Sequence, residues 1–440
     1  MPPPPPPPPP VPYVAISINS PEPGLKVAAT VPGEPQINQL FRTVMLHKGS
    51  DLHLKSGLPG MMRLRGVIQK MNTPKLEQET LEKLIYPILR DKDKKVLDET
   101  GGADFAHVIG ADEARYRVNV LKQRGRLAMV ARLVNQSIPS FEKLGLPPTI
   151  EKLCHYEQGM VLLAGVTGSG KSTTIASMLD YINSTEALHI LTLEDPIEFV
   201  FVDKMSIVNQ REVFLDVCDW HTGLKHAVRE DPDIILVGEL RDSETFESAV
   251  HAAETGHVVF GTIHASNAYS TIDRILGLFP PSQHGAVRQS MVFNLRAVVA
   301  QKLVPSCIPG VSRVPTNEIM IVNPTIRELI LKSQDAKLLD AMRAFYNEGM
   351  MDFNKNLEDL CLGGRIDKAT ALEFSPNPEQ LRMALKGIKV AASGLVKRPT
   401  SLNSRRSVPC RCGRRRTCSR TLGASTPPTA RDRPSCSSGR

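Results

Sequence analysis

Gly165-Val166-Thr167-Gly168-Ser169-Gly170-Lys171-Ser172 fits G-x-x-x-x-G-K-[ST], the phosphate-binding loop of P-loop NTPases. Met160 to Ala164 before it is a short apolar run that reads as a buried strand, and Thr173 to Ile182 after it carries apolar residues at helical spacing. Strand, loop and helix is the order the motif requires. Glycines let the backbone wrap closely enough for its N–H groups to point at a β-phosphate, and the helix N-terminus adds its dipole. The expected nucleotide-binding residues are therefore Thr167, Gly168, Ser169, Gly170, Lys171, Ser172 and Thr173. Lys171 would reach the β- and γ-phosphates, and the Ser172 hydroxyl would sit on Mg²⁺. The expected ligand is ATP or GTP.

Downstream, His189 to Leu193, Ile234 to Val237 and Val258 to Ile263 are short runs rich in apolar and β-branched residues, separated by helical stretches at Leu224 to Arg229 and Ser243 to Ala253. Such alternation predicts an α/β fold with a parallel sheet covered on both faces. Polar residues that follow the strands then gather at one sheet edge, beside the phosphate loop. Three groups do so: Glu194-Asp195-Pro196-Ile197-Glu198, Gly238-Glu239-Leu240-Arg241-Asp242, and Gly261-Thr262-Ile263-His264. Phosphoryl transfer to water needs a held Mg²⁺, a carboxylate that orients the attacking water, and donors on the developing charge. A single carboxylate at a strand end is more often a helix cap; two acidic groups and a histidine flanking one phosphate loop favour catalysis. His221, His226, His251 and His284 lack this context and read as surface or core histidines.

Before the loop, residues 36–136 read as a smaller α+β domain. Its helices are expected at Ile37 to His47 and Thr80 to Leu97, and its strands at Asp51 to Leu54, Arg63 to Ile68, Ala103 to Val108, Tyr116 to Leu121 and Leu127 to Leu133. Arg115, Arg117, Arg124, Arg126 and Arg132 cluster in its second half, as a solvated sheet face or as groups offered to a neighbouring subunit's nucleotide. Residues 137–158 read as a linker with a short helix, and 159–390 as the nucleotide domain.

The formal charge of +8 is unevenly placed: residues 391–440 hold 12 Lys+Arg and one acidic residue, leaving 42 basic and 45 acidic residues before them. A near-neutral body gives no electrostatic reason to expect nucleic acid. Residues 1–35 are a Pro-rich leader, read as disordered: a spacer, a ligand for a proline-reading domain, an upstream extension without a role, or the product of a misplaced start codon. The tail is also read as disordered, either a basic arm for anionic lipid or nucleic acid or, as the preferred reading, translation in a shifted frame beyond the authentic end. Its Cys410, Cys412, Cys418 and Cys436 lack the paired spacing of common zinc sites. With no apolar run near the roughly 18 residues of a membrane span and no signal-peptide pattern, the expected location is the cytoplasm.

The residues from about Gln36 to Ile388 resemble the PilT-type ATPases of type IV pili, within the secretion ATPase superfamily. The resemblance rests on the phosphate loop, on LTLEDPIEFV at Leu191 to Val200 (the Asp box), and on REDPDIILVGELRD at Arg229 to Asp242. AAETGHVVFGTIHA at Ala252 to Ala265 (the His box) and TIDRI at Thr271 to Ile275 complete it. It implies a PAS-like N-terminal domain joined to a RecA-like ATPase domain, in a cytoplasmic homohexamer peripheral to the inner membrane. That hexamer would couple Mg-ATP hydrolysis to the pilus base through an inner-membrane platform protein, and so indirectly to pilin. By motif position Glu198 activates water, Glu239 holds Mg²⁺ through water, His264 is the His-box histidine, and Arg117 and Arg132 match the N-terminal arginines used against the phosphates. Retraction is favoured over extension. Extension motors usually carry a further N-terminal domain and a four-cysteine zinc insert, whereas Thr325-Ile326-Arg327-Glu328-Leu329-Ile330 resembles the AIRNLI-like segment of retraction motors, with Thr325 in place of Ala and Glu328 in place of Asn. The alternatives are an extension, type II secretion or DNA-uptake motor, a low-turnover auxiliary subunit, and a nucleic-acid motor.

Overall fold

The computed structural model describes residues 24–110, 113–134 and 137–387. The leader before residue 24 and the basic tail, with the expectations placed on them, lie outside the described residues. Residues 24–35 are part of the fold, contrary to the reading of a disordered leader through 35. Leu25 N–H donates to Lys70 O (3.1 Å), and Val27 is buried among Leu40, Phe41 and Val44.

Asp51–Lys55 (β1), Met61–Leu64 (β2), Val67–Lys70 (β3), Gly102–Ile109 (β4), Ala114–Gln123 (β5) and Arg126–Leu133 (β6) form a sheet ordered β3-β2-β1-β6-β5-β4. Every neighbouring pair is antiparallel. The strand period of two divides β5 cleanly: Ala114, Tyr116, Val118 and Val120 are buried, while Arg115, Arg117 and Asn119 point the other way. Tyr116 closes the inner face, its hydroxyl donating to Phe41 O at 2.8 Å on the helix Asn38–Leu46. Two expectations fail here. Arg63 to Ile68 is not one strand but the tip of the β2–β3 hairpin, turned at Arg65 (φ 50°) and Gly66 (φ 84°). Thr80 to Leu97 is not one helix: Pro87 cannot donate its backbone hydrogen bond, so Gln78–Ile85 ends in a short 3₁₀ turn and Asp91–Thr100 starts anew.

Gly159–Ala164 (β7), His189–Glu194 (β8), Ile207–Glu212 (β9), Ile234–Val237 (β10), Val258–Ile263 (β11), Leu295–Pro305 (β12) and Arg313–Ile321 (β13) form the second sheet, ordered β13-β12-β7-β11-β10-β8-β9. Only the edge strand β13 runs antiparallel to its neighbour. β7, β10 and β11 are buried along their whole length, as continuous apolar runs in a sheet covered on both faces should be. One apolar cluster around Phe246, Ile272 and Met291 packs on one face. Another around Ile175, Met178 and Leu179, from the helix Lys171–Thr185, packs on the other. β9, β12 and β13 were not anticipated from the sequence. β9 mixes Asn209, Gln210, Arg211 and Glu212 into its run because it is an edge strand only half covered.

Candidate active site

β7 feeds the phosphate loop and the helix Lys171–Thr185 leaves it, with Gly165, Gly168 and Gly170 at φ of 154°, 77° and 84°. Those angles lie where L side chains are rarely found, which is why glycine recurs here. Lys171 folds over the loop, its Nζ donating to Gly165 O (2.7 Å) and Val166 O (3.1 Å). Burial pushes its ammonium below the ordinary lysine range, while Glu239 and then Glu198 pull it back.

The order β7-β11-β10-β8 places the C-terminal ends of four parallel strands side by side, so the acidic and histidine groups converge without long-range contrivance. A cleft of about 720 Å³ opens there. Each anticipated loop residue from Thr167 to Thr173 lines it, together with Glu198, Glu239, His264 and Arg117. Glu239 is the hub of its polar wall. Its carboxylate lies 2.7 Å from an Arg241 Nη and 3.1 Å from His264 Nε2. Hydrogen bonding to Glu239 holds the Arg241 guanidinium above its usual range. Thr262 Oγ1 donates to Gly238 O at 2.5 Å, pinning the start of the acidic turn to β11. Asp242 is a cap: its side chain accepts from Thr245 N–H at 2.8 Å and starts the helix Ser243–Glu254.

Glu198 and Glu194 differ in kind. Glu198 is exposed on the cleft wall. Glu194 is buried, and burial pushes its carboxyl up to about 7 against hydrogen bonds from Thr192 Oγ1 (2.8 Å) and Gln210 Nε2 (3.1 Å). It accepts from Glu198 N–H at 3.4 Å and so braces the segment that carries Glu198.

Arg117 and Arg132 face each other in register across β5 and β6, yet the structure separates their surroundings. Arg117 lines the cleft. Arg132 does not; its Nε donates to Asp51 Oδ1 at 2.8 Å, with 69% of its side chain exposed. Burial alone would raise Asp51, but hydrogen bonds from Ser50 and Arg132 outweigh it and hold the carboxyl below the usual range. Arg115 pairs with Glu212 at the end of β9 (2.9 Å) and ties the first sheet to the second.

The cleft is also lined by Trp220, Arg241, Thr262 and Arg313, to which sequence reasoning gave no individual role. Arg241 and Thr262 sit inside motifs already singled out. Arg313 begins β13, which carried no recognised signal.

The family model described as type II/IV secretion system protein matches residues 27–344. The type IV pilus retraction ATPase PilT of Pseudomonas aeruginosa is 42% identical over 343 residues, 78% of this chain and 99% of its own. A twitching motility protein of Neisseria gonorrhoeae is 38% identical over 321 residues, 73% of this chain and 85% of its own. The crystal structure of the pilus retraction motor PilT with bound ADP superposes with a TM-score of 0.72 at 42% identity, covering 78% of this chain and 98% of that one.

Proposed function

The chain belongs to the PilT-type pilus retraction ATPases of the type II/IV secretion system family, and from that membership we propose that it works as a cytoplasmic homohexamer hydrolysing Mg-ATP to pull on a pilus. The observation that carries the reading is the convergence of Glu198, Glu239 and His264 on the cleft that holds the Lys171 loop. A binder without turnover needs the loop but has no use for two carboxylates and a histidine opposite it. In this reading the sheet β1–β6 is the PAS-like domain and the sheet β7–β13 the RecA-like one.

Glu198 accepts a hydrogen bond from water and aims it at the γ-phosphate, His264 reports on that phosphate through its contact with Glu239, and Lys171 leaves the loop carbonyls for the phosphate oxygens. Arg117 and Arg132 supply positive charge to the phosphates, either within the chain or across a subunit interface. The oxygen donors of Ser172 and Glu239 line the same cleft and suit Mg²⁺, which takes one or two protein oxygens and fills its octahedron with phosphate and water. When bound, that cation neutralises charge on the phosphates.

Among the described residues no helix is long and apolar enough to cross a membrane, so contact with the pilus is read as passing through an inner-membrane platform protein, and only through it to pilin. No nucleic-acid partner is expected of the near-neutral body.

The test is Lys171→Ala at the native locus, scored by surface pilus count and twitching. Pili that persist while twitching stops match a retraction motor. Bald cells would assign the chain to extension, and unchanged cells to an auxiliary or secretion role.

A further inference from the structure

Gln301 stands in the middle of β12, 1% exposed, and both heteroatoms of its side-chain amide are hydrogen-bonded. Nε2 donates to Ser169 O (2.9 Å) inside the phosphate loop. Oε1 accepts from Thr174 Oγ1 (2.8 Å) on the helix that follows the loop and from Asn317 Nδ2 (2.9 Å) on β13. Asn317 is buried too, and its backbone N–H donates to Asn356 Oδ1 at 2.8 Å on the helix Phe353–Leu362. The loop is shaped around this residue. A Cβ on Gly165 would lie 2.6 Å from Gln301 O, and one on Gly170 2.9 Å from Gln301 Nε2. Two of the motif's three glycines therefore clear the way for β12 as well as for a phosphate.

We propose that Gln301 is a positioning residue for nucleotide binding, holding the phosphate loop in its receiving shape before any nucleotide arrives. The proposal rests on the reading of the cleft as an ATP site. A trans peptide points its C=O and N–H in opposite directions. Anchoring Ser169 O on β12 therefore turns the Gly170 N–H away from β12, toward the cleft. With the anchor gone, that peptide is free to rotate, and each nucleotide that binds must first re-order it. The cost falls on ground state and transition state alike, so it enters KM and not kcat. Asn317 and Thr174 act through Gln301: they occupy the amide oxygen and so oblige the nitrogen to face the loop.

Two substitutions test this. Gln301→Met keeps length and volume and removes the hydrogen bonds. KM for Mg-ATP and the dissociation constant of ADP should each rise about tenfold, the scale of one lost buried hydrogen bond, with kcat within about threefold of wild type. Gln301→Glu is the sharper variant. Protonated, a glutamic acid reproduces the amide's pattern, one oxygen accepting from Thr174 and Asn317 and the hydroxyl donating to Ser169 O. Ionised, it presents an anion to that carbonyl. Its KM relative to wild type at the same pH should therefore fall by about threefold or more from pH 8 to pH 6. A wild-type protein that neither binds nor hydrolyses ATP would overturn the functional reading. A working wild type, with both variants matching it in KM at every pH and losing only thermal stability, would overturn the positioning role alone. So would a fall in kcat while KM holds.

Discussion

Replacing Glu198 by Gln preserves the side chain's shape and removes the charge that a water-activating carboxylate needs. Three consequences can be worked from the structure. Glu198 is exposed and makes no ion pair among the described residues, so stability should change by no more than about 0.5 kcal/mol. Lys171 is held up by Glu239 first and Glu198 second. Losing the weaker of the two leaves Glu239 as the main group opposing the effect of burial on the ammonium, and it also removes a negative charge facing the triphosphate. KM for ATP should stay level or fall. Turnover is different, because only the transition state uses the carboxylate: kcat should drop about 10² to 10⁴-fold, or roughly 3 to 5 kcal/mol of barrier. Urea unfolding measures the first quantity, the ATP-concentration dependence of phosphate release the second and phosphate release at saturating Mg-ATP the third. A variant with kcat within about threefold of wild type would refute the assignment. A collapse of KM and kcat together would instead make Glu198 part of the binding wall.

Arg117→Ala should lower kcat by about 10³ with unchanged stability, and wild-type-like phosphate release would remove Arg117 from the reaction. Arg132→Ala should cost less than about 1 kcal/mol in urea unfolding, because its side chain is 69% exposed and Asp51 keeps Ser50 at 2.7 Å; a larger loss would show that the pair is structural. Its effect on turnover should appear only at protein concentrations that support assembly. A third prediction concerns pH. Burial pushes His107 down to about 4, Glu34 opposing it only in part, and its Nε2 lies 2.7 Å from Asn38 Oδ1. An imidazole neutral in the fold and protonated in the unfolded chain contributes stability that is present above its ordinary 6.5 and is lost as pH falls toward 4, on the order of 3 kcal/mol. Glu194 and Glu318, pushed up to about 7 by burial, contribute in the opposite sense, losing stability as pH rises from 4.5 toward 7. Comparing urea midpoints of wild type and His107→Gln isolates the imidazole, and equal slopes between pH 4 and 6.5 would dismiss it.

The parts of the molecule legible in the sequence were those where one strong local rule operates. Buried parallel strands announce themselves as apolar runs, and a phosphate loop, two acidic turns and a histidine at their ends fall together once those strands are adjacent. The hairpin at Arg65-Gly66 and the break at Pro87 were missed because a single period was drawn through residues that interrupt it. β12 and β13 were missed for another reason. Gln301, Asn317 and Glu318 lie buried inside them, and a polar residue in a strand looks like a solvent-facing one until its partners, on elements distant in the chain, are known. The deepest support of the loop was therefore the least visible.

Strand register also explains why the first sheet can meet the nucleotide cleft at all. Arg115 and Arg117 lie two apart on β5 and share the face opposite Tyr116 and Val118. Arg115 holds Glu212, whose carboxylate also accepts from Ile197 N–H at 3.4 Å, one residue before Glu198. Arg117 on the same face reaches the cleft, and Arg132, its partner in register, is kept beside it by Asp51. A one-residue slip of β5 would turn Tyr116 and Val118 outward and bury both arginines. The apolar packing that forbids such a slip is thus also what keeps Arg117 on the side of the cleft. The Arg115–Glu212 pair links the first sheet to the segment that bears Glu198, so on the proposed assignment of Glu198 to water activation a shift between the two sheets should reach kcat.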